Sequence, residues 1–346
     1  MPVPQQRDPE VTRARLGRWL SARVAGGEPV SIGAIRVPDA RGFANETLVF
    51  DASWRGPDGS RARRLVARIA SPRYQVYPDA RLAEQHRLME SLGRHTDVPV
   101  PPVHGHEPDP GLLGGPFLVM GHVPGRVPPD FPSYHRQGWV AGLPARDREV
   151  LWWRGLDALR RVHRVDHREL GLAARQVEHY ADHLDFFRSA DTPVVLRALE
   201  WLAGNRPPAA PDVLLWGDAR LGNLVFDGLD VAAVLDWEMA ALGPAEVDLA
   251  WYLYLDRYLS EGIGSARLDG LPDRDRTVRR YAALLGREPR DLPYHEVFAA
   301  FRFALITARV ADLVVAHGIV PAGTDFPLHR NACALLERTL EAAATT

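Results

Sequence analysis

Trp216-Gly-Asp-Ala-Arg-Leu-Gly-Asn223, followed thirteen residues after its asparagine by Asp236 in Val-Leu-Asp-Trp-Glu, is the stretch on which the reading of this chain turns. An apolar run precedes each aspartate, Val213 to Leu215 for Asp218 and Val231 to Leu235 for Asp236. A strand end is where a polar side chain can leave a packed core at a fixed position. Phosphoryl transfer asks little covalent chemistry of a protein. It needs a carboxylate to orient an attacking hydroxyl and take its proton, and oxygen ligands for magnesium on the phosphates. Asp218 suits the first task, and Asn223 and Asp236 the second. Arg220, two residues past the base, can reach the transferred group and offset its charge.

Working outward, Asp8-Pro9 reads as an N-cap and first helical position, with Val11, Leu16, Trp19, Leu20 and Val24 at helical spacing behind it. The stretches 31–37, 45–54 and 64–70 are rich in β-branched and aromatic residues, and Gly56-Pro-Asp-Gly59 reads as a hairpin turn. A helix over 79–92, with Leu82, His86, Met89 and Leu92 on one face, and an apolar strand over 116–123 follow. These short strands and helices make a small β-rich N-terminal lobe, residues 1–123. Residues 124–144 are dense in Pro and Gly and read as a connector. Helices are then expected near 146–165, 175–189, 192–204, 246–259, 273–285, 294–317 and 328–343, interrupted only by the strands around the polar loop. The expected class is α+β, with a mostly helical second lobe over 124–346.

Composition excludes several chemistries. All 42 basic residues are arginine, so neither a Walker A lysine nor a Schiff-base amine exists. A net charge of −2 gives no electrostatic reason to expect a nucleic-acid or membrane partner. The single cysteine, Cys333, cannot build a disulfide framework, and the polar first eight residues do not read as a secretory signal, so a cytoplasmic setting is expected. His163/His167 and His179/His183 share the i, i+4 spacing of zinc ligands but lack the glutamate of a His-Glu-x-x-His site. Gly-x-Ser-x-Gly is absent, which argues against a serine hydrolase.

These residues resemble the aminoglycoside phosphotransferase family, the small-molecule branch of the protein-kinase-like superfamily. Its catalytic loop has an aspartate followed by an asparagine, with a metal aspartate further on; Asp218, Asn223 and Asp236 match. Gly42-Phe-Ala-Asn-Glu46 is similar to the family's loop over the phosphates. Val66-Ala-Arg-Ile69 resembles its strand with the basic residue, and Val98-Pro-Val-Pro-Pro-Val103 with Phe117-Leu-Val-Met-Gly-His-Val-Pro-Gly125 the approach to its hinge. The resemblance implies a two-lobed kinase-like fold, ATP or another nucleoside triphosphate, and Mg2+. It implies that Gly42, Asn45, Arg68, Glu84, Met120 and His122 serve the nucleotide, with Arg68 pairing to Glu84. It makes His163 structural; Asp248, in Glu-Val-Asp-Leu-Ala-Trp, reads as a buried or capping carboxylate that supports the catalytic loop. Two positions depart from the pattern: Arg68 stands where lysine is common, and Trp216 replaces the loop histidine, where an indole buried between helices and strand is expected.

The acceptor is then a hydroxylated small molecule. A site for polycationic aminoglycosides should be acidic, yet residues 245–291 hold nine acidic and eight basic side chains, and Trp251, Tyr252, Tyr254 and Tyr258 are expected to add aromatic surface. A less cationic metabolite, natural product or acyl thioester fits better. A nucleotide-binding pseudokinase is the alternative, motivated by Trp216 and the missing lysine.

Overall fold

The computed structural model describes residues 7–38, 45–174, 177–190, 192–321, 323 and 327–345. The chain divides into two compact units, Met1–His95 with Val100–Pro124, and Thr96–Pro99 with Gly125–Thr346.

In the first unit, helix α1 (Pro9–Arg23) starts where Asp8 accepts the amides of Glu10 and Val11, which satisfies donors that a helix start leaves open. Leu16, Trp19 and Leu20 are buried, whereas Val11 faces outward. Strands β1 (Ser31–Ile32), β2 (Asn45–Gly56), β3 (Gly59–Ala70), β4 (Val103–Glu107) and β5 (Phe117–Gly121) form one antiparallel sheet in the order β1-β2-β3-β5-β4. The β2–β3 hairpin closes at Gly56 opposite Gly59, as the turn signal predicts. Period-two alternation sends Leu65, Ala67 and Ile69 of β3 into a core with Leu48, Phe50, Phe117, Val119 and the apolar face of α1. Helix α2 (Leu82–His95) buries Leu82, Gln85, Leu88, Met89 and Leu92; His86 is only half-buried, one position off the expected stripe. The short helix α3 (Pro110–Leu113) was not legible in the sequence.

The second unit contains α4 (Ala145–His163), α5 (Val177–Ala181), α6 (Pro193–Gly204), α7 (Ala245–Leu259), α8 (Arg274–Leu285), α9 (Leu292–Ala316) and α10 (Pro327–Ala344). The helix expected over 175–189 is broken: after α5 only a 3-10 segment, Leu184–Ala190, continues, and Phe187 leaves helical geometry at φ −95°, ψ 45° with its ring buried. The polar loop lies among four short strands rather than two. β6 (Val213–Leu215) pairs with β9 (Ala241–Gly243), and β7 (Leu224–Asp227) pairs with β8 (Asp230–Val234). Each end of the loop is thus tied into a different ladder. The expected aromatic surface on α7 is instead core: Trp251, Tyr252, Tyr254 and Tyr258 are all buried, because α7 is covered nearly all round. Among the described residues no helix is long and apolar enough to cross a membrane.

Candidate active site

Backbone comes before side chains at this site. Gly217 has φ +88°, and a Cβ there would lie 2.1 Å from the Met239 carbonyl oxygen. No side chain could be placed without moving that backbone, so the turn into the loop requires glycine. The turn is then fastened from α7: Asp248, fully buried, accepts the amides of Trp216 (2.7 Å) and Gly217 (2.9 Å) on its two carboxylate oxygens. A third donor is His163, the last residue of α4, whose Nε2 lies 3.0 Å from Asp248. The Tyr281 hydroxyl meets the other ring nitrogen of His163. Burial, followed by the Asp248 charge, pushes this phenol well above its ordinary range. His163 is thus held between Tyr281 and Asp248 by both of its ring nitrogens. His163 and Asp248 hold the supporting positions expected of them.

The Asp218 carboxylate is half-buried and surrounded by donors. The Trp251 indole N–H donates to Oδ1 (2.8 Å), the Asn223 amide nitrogen to Oδ2 (2.6 Å), and Arg220 Nε lies 3.1 and 3.0 Å from the two oxygens. Asn223 also donates to the Asp218 carbonyl (3.0 Å). With its nitrogen so engaged, the amide turns its oxygen away from Asp218, the orientation a cation ligand needs. The Arg220 guanidinium is shared with Asp130. Burial alone would lower its pKa, but the charges of Asp130 and Asp218 outweigh that and raise it. Asp130 comes from the proline-rich connector, which is held to α7 by Tyr134 donating to Asp256 (2.7 Å) and Ser133 donating to the Leu259 carbonyl (2.7 Å).

Asp236 follows β8 with φ +62°, a left-handed backbone that Asp and Asn tolerate better than most residues. The Leu235 amide just before it donates to the Asn223 carbonyl (2.9 Å), which closes the open end of the β7–β8 hairpin and sets the two candidate cation ligands on neighbouring chain ends. Trp216 is fully buried, and its indole donates to the Leu235 carbonyl (2.7 Å). The indole thus links the start of the Trp216–Asn223 loop to the segment between β8 and Asp236, filling the buried position expected of it. Trp216→His should retain measurable activity and lose about 3 kcal/mol of stability, the scale of large-to-small core substitutions. Denaturant unfolding checks this, and a gain in activity would instead mean that the indole obstructs the site.

In the first unit, Asn45 opens β2 opposite Ala70, and Arg68 sits on β3 opposite Thr47 and Leu118. Glu84, in the first turn of α2, pairs with Arg81. Met120 lies on β5, and the backbone amide of His122 donates to the Arg64 carbonyl (3.0 Å). Gly42 lies outside the described residues. Sequence reasoning missed Asp130, Trp251 and Arg302; the last donates to the Gly217 carbonyl (2.8 Å).

The sequence model described as "Phosphotransferase enzyme family" matches residues 43–294. Acyl-CoA dehydrogenase family member 10 of Mus musculus is 30% identical over 264 residues, 70% of this chain. The chain spans only about a quarter, 24%, of that relative's length. Among solved structures, a candidate aminoglycoside phosphotransferase from Ralstonia eutropha superposes with a TM-score of 0.70 at 24% identity, covering 96% of this chain and 98% of that one. A thermostable mutant of aminoglycoside phosphotransferase APH(4)-Ia, in ternary complex with AMP-PNP and hygromycin B, gives 0.61 at 13% identity, covering 96% and 99%. With a sequence match over most of its length and this fold in both of its units, the chain belongs to the phosphotransferase enzyme family and has the aminoglycoside phosphotransferase form of the kinase-like α+β fold.

Proposed function

We propose that this protein is an ATP-dependent phosphotransferase that phosphorylates a hydroxyl group of a small molecule. The observation that carries the reading is the Asp218–Asn223 pair, a carboxylate and an amide locked together on a loop whose backbone is fastened from below. Asp218 orients the acceptor hydroxyl and accepts its proton as the oxygen bonds to the γ-phosphorus; the bond to the β-phosphate oxygen breaks and ADP leaves. Arg220 offsets charge at the transferred group from its place between Asp218 and Asp130. In the first unit, Gly42, Asn45, Arg68, Glu84, Met120 and His122 are assigned to the nucleotide.

Asn223 and Asp236 are assigned to Mg2+. The donor set fits: one carboxylate and one amide oxygen are hard ligands, and a magnesium site of this kind takes the rest from phosphates and water. When bound, the ion balances phosphate charge. Asp236→Asn keeps the left-handed backbone and removes one ligand charge. It should weaken ATP binding in the presence of magnesium by about tenfold or more, with little change in its absence. Calorimetry with and without magnesium checks this, and an unchanged metal dependence would place the ion elsewhere.

For the acceptor, the reading we favour is a hydroxylated acyl thioester. The near-balance of charge over residues 245–291 offers no field for a polycation, and the curated relative is named for an acyl-CoA dehydrogenase family. The deciding experiment is ATP consumption by the purified chain with hydroxyacyl thioesters against aminoglycosides such as hygromycin B. Turnover confined to aminoglycosides would overturn the acceptor class, and no turnover with any hydroxyl compound would favour a binding protein.

A further inference from the structure

Arg302 on α9 is 3% exposed, yet among the described residues no carboxylate pairs with it. One terminal nitrogen donates to the Gly217 carbonyl (2.8 Å), while its Nε is buried without a partner. Its guanidinium lies over the Trp251 ring at 4.3 Å, with Phe298 at 5.4 Å and Tyr180 at 5.6 Å. Burying a cation without a counter-charge is expensive, and only part of that cost is offset by aromatic faces. A leucine or methionine would fill the same space more cheaply. What the arginine adds is geometric: it touches the peptide that leads directly into Asp218, and it stacks on the indole whose N–H grips the Asp218 carboxylate.

We propose that Arg302 and Trp251 form a brace that positions Asp218, a role that rests on reading this carboxylate as the catalytic base. The brace has two legs. Arg302 fixes the Gly217 carbonyl from one side while Asp248 fixes the Trp216 and Gly217 amides from the other, so the peptides flanking Gly217 cannot rotate. Trp251 carries the second leg through its ring nitrogen to Oδ1. A guanidinium suits this site because its broad head lies over the indole while one terminal nitrogen donates to the Gly217 carbonyl, a reach that a compact ammonium does not match. Arg302 is thus a positioning residue, bought at the expense of stability, and Trp251 touches the base directly.

The test uses the full chain with Arg302→Met, Arg302→Lys and Trp251→Phe. Arg302→Met keeps the length and the apolar contacts and removes the charge and the hydrogen bond. Its midpoint of thermal unfolding should stay level or rise. Its kcat should fall by about 10- to 100-fold, the penalty for a slightly misplaced catalytic group, with KM for MgATP within about twofold. Arg302→Lys should fail to restore kcat, and Trp251→Phe should lower it while leaving the Arg302 stack a ring to rest on. Amide hydrogen exchange supplies a readout independent of turnover: exchange at Trp216 and Gly217 should accelerate in Arg302→Met. Unchanged kcat and unchanged exchange would overturn the brace. So would a kcat loss that disappears once the assay is run well below the unfolding transition, because that would leave only a structural role. If the wild-type protein turned over no acceptor, the phosphotransferase reading would fall on that result alone, and the exchange at Trp216 and Gly217 would still decide whether the brace exists.

Discussion

Asp218→Ala is expected to reduce phosphoryl transfer by about 10²- to 10⁴-fold, the range a general base supplies, while leaving affinity for ATP within a few-fold of wild type. The asymmetry follows from the role proposed for Asp218: a base acts on the incoming hydroxyl, and the resting nucleotide does not depend on it. The alanine variant also strands three donors that now converge on the carboxylate, from Arg220, Asn223 and Trp251. Unpaired buried donors cost stability in their own right. Asp218→Asn is therefore the companion variant, because it keeps the side-chain shape and one acceptor oxygen while removing the basicity. Both variants should be inactive, with the asparagine form folded at the assay temperature. Single-turnover kinetics with saturating nucleotide checks the prediction, and turnover retained within about tenfold by Asp218→Asn would remove Asp218 from the role of base.

The second large effect is expected at a residue that never meets substrate. Asp248→Asn replaces a carboxylate that accepts from Trp216, Gly217 and His163 with an amide whose nitrogen must face at least one of those donors. Breaking a buried charged network in this way costs about 3–5 kcal/mol. For a unit of this size, each kcal/mol lowers the melting temperature by roughly 2–4 °C, so the loss should exceed about 6 °C. Activity should fall as well, because the amides released are those that set the direction of Asp218. Calorimetric melting and turnover of the same preparation test both halves. A variant that melts like wild type would show that the hydrogen bonds to Asp248 contribute little.

The candidate site was legible in the sequence where it is local. Asp218 and Asn223 are five residues apart on one loop, so one glance along the chain collects them. The residues that control Asp218 come from far away in sequence: Trp251 at a separation of 33, Arg302 reaching Gly217 at 85, and Asp130 reaching Arg220 at 90. No periodicity or spacing links them, since the packing of α7, α9 and the connector brings them together. The fold divides in the same way. The Gly56-Pro-Asp-Gly59 turn and the Asp8 cap were visible because local chemistry decides them. Helix α7 was placed correctly, but the exposure of its aromatic residues was misjudged, because composition alone does not show that a helix is buried nearly all round. The strand β9, three residues long, carries no signal beyond its pairing with β6.

The β7–β8 hairpin also bears on how distant sequences should be aligned. Asn223 and Asp236 sit at its open end, whereas its tip, Asp227 opposite Asp230, turns through Gly228 at φ +60° with open space around it. Residues inserted at that tip lengthen the hairpin without displacing Asn223 or Asp236. A single residue removed from within β8 would instead turn its buried side chains to the wrong face. The thirteen-residue interval between asparagine and aspartate is therefore the perimeter of a hairpin, and a genetically inserted tag at its tip should leave both residues in place. The interval of five from Asp218 to Asn223 has no such freedom, because a side-chain amide must span it to reach the carboxylate.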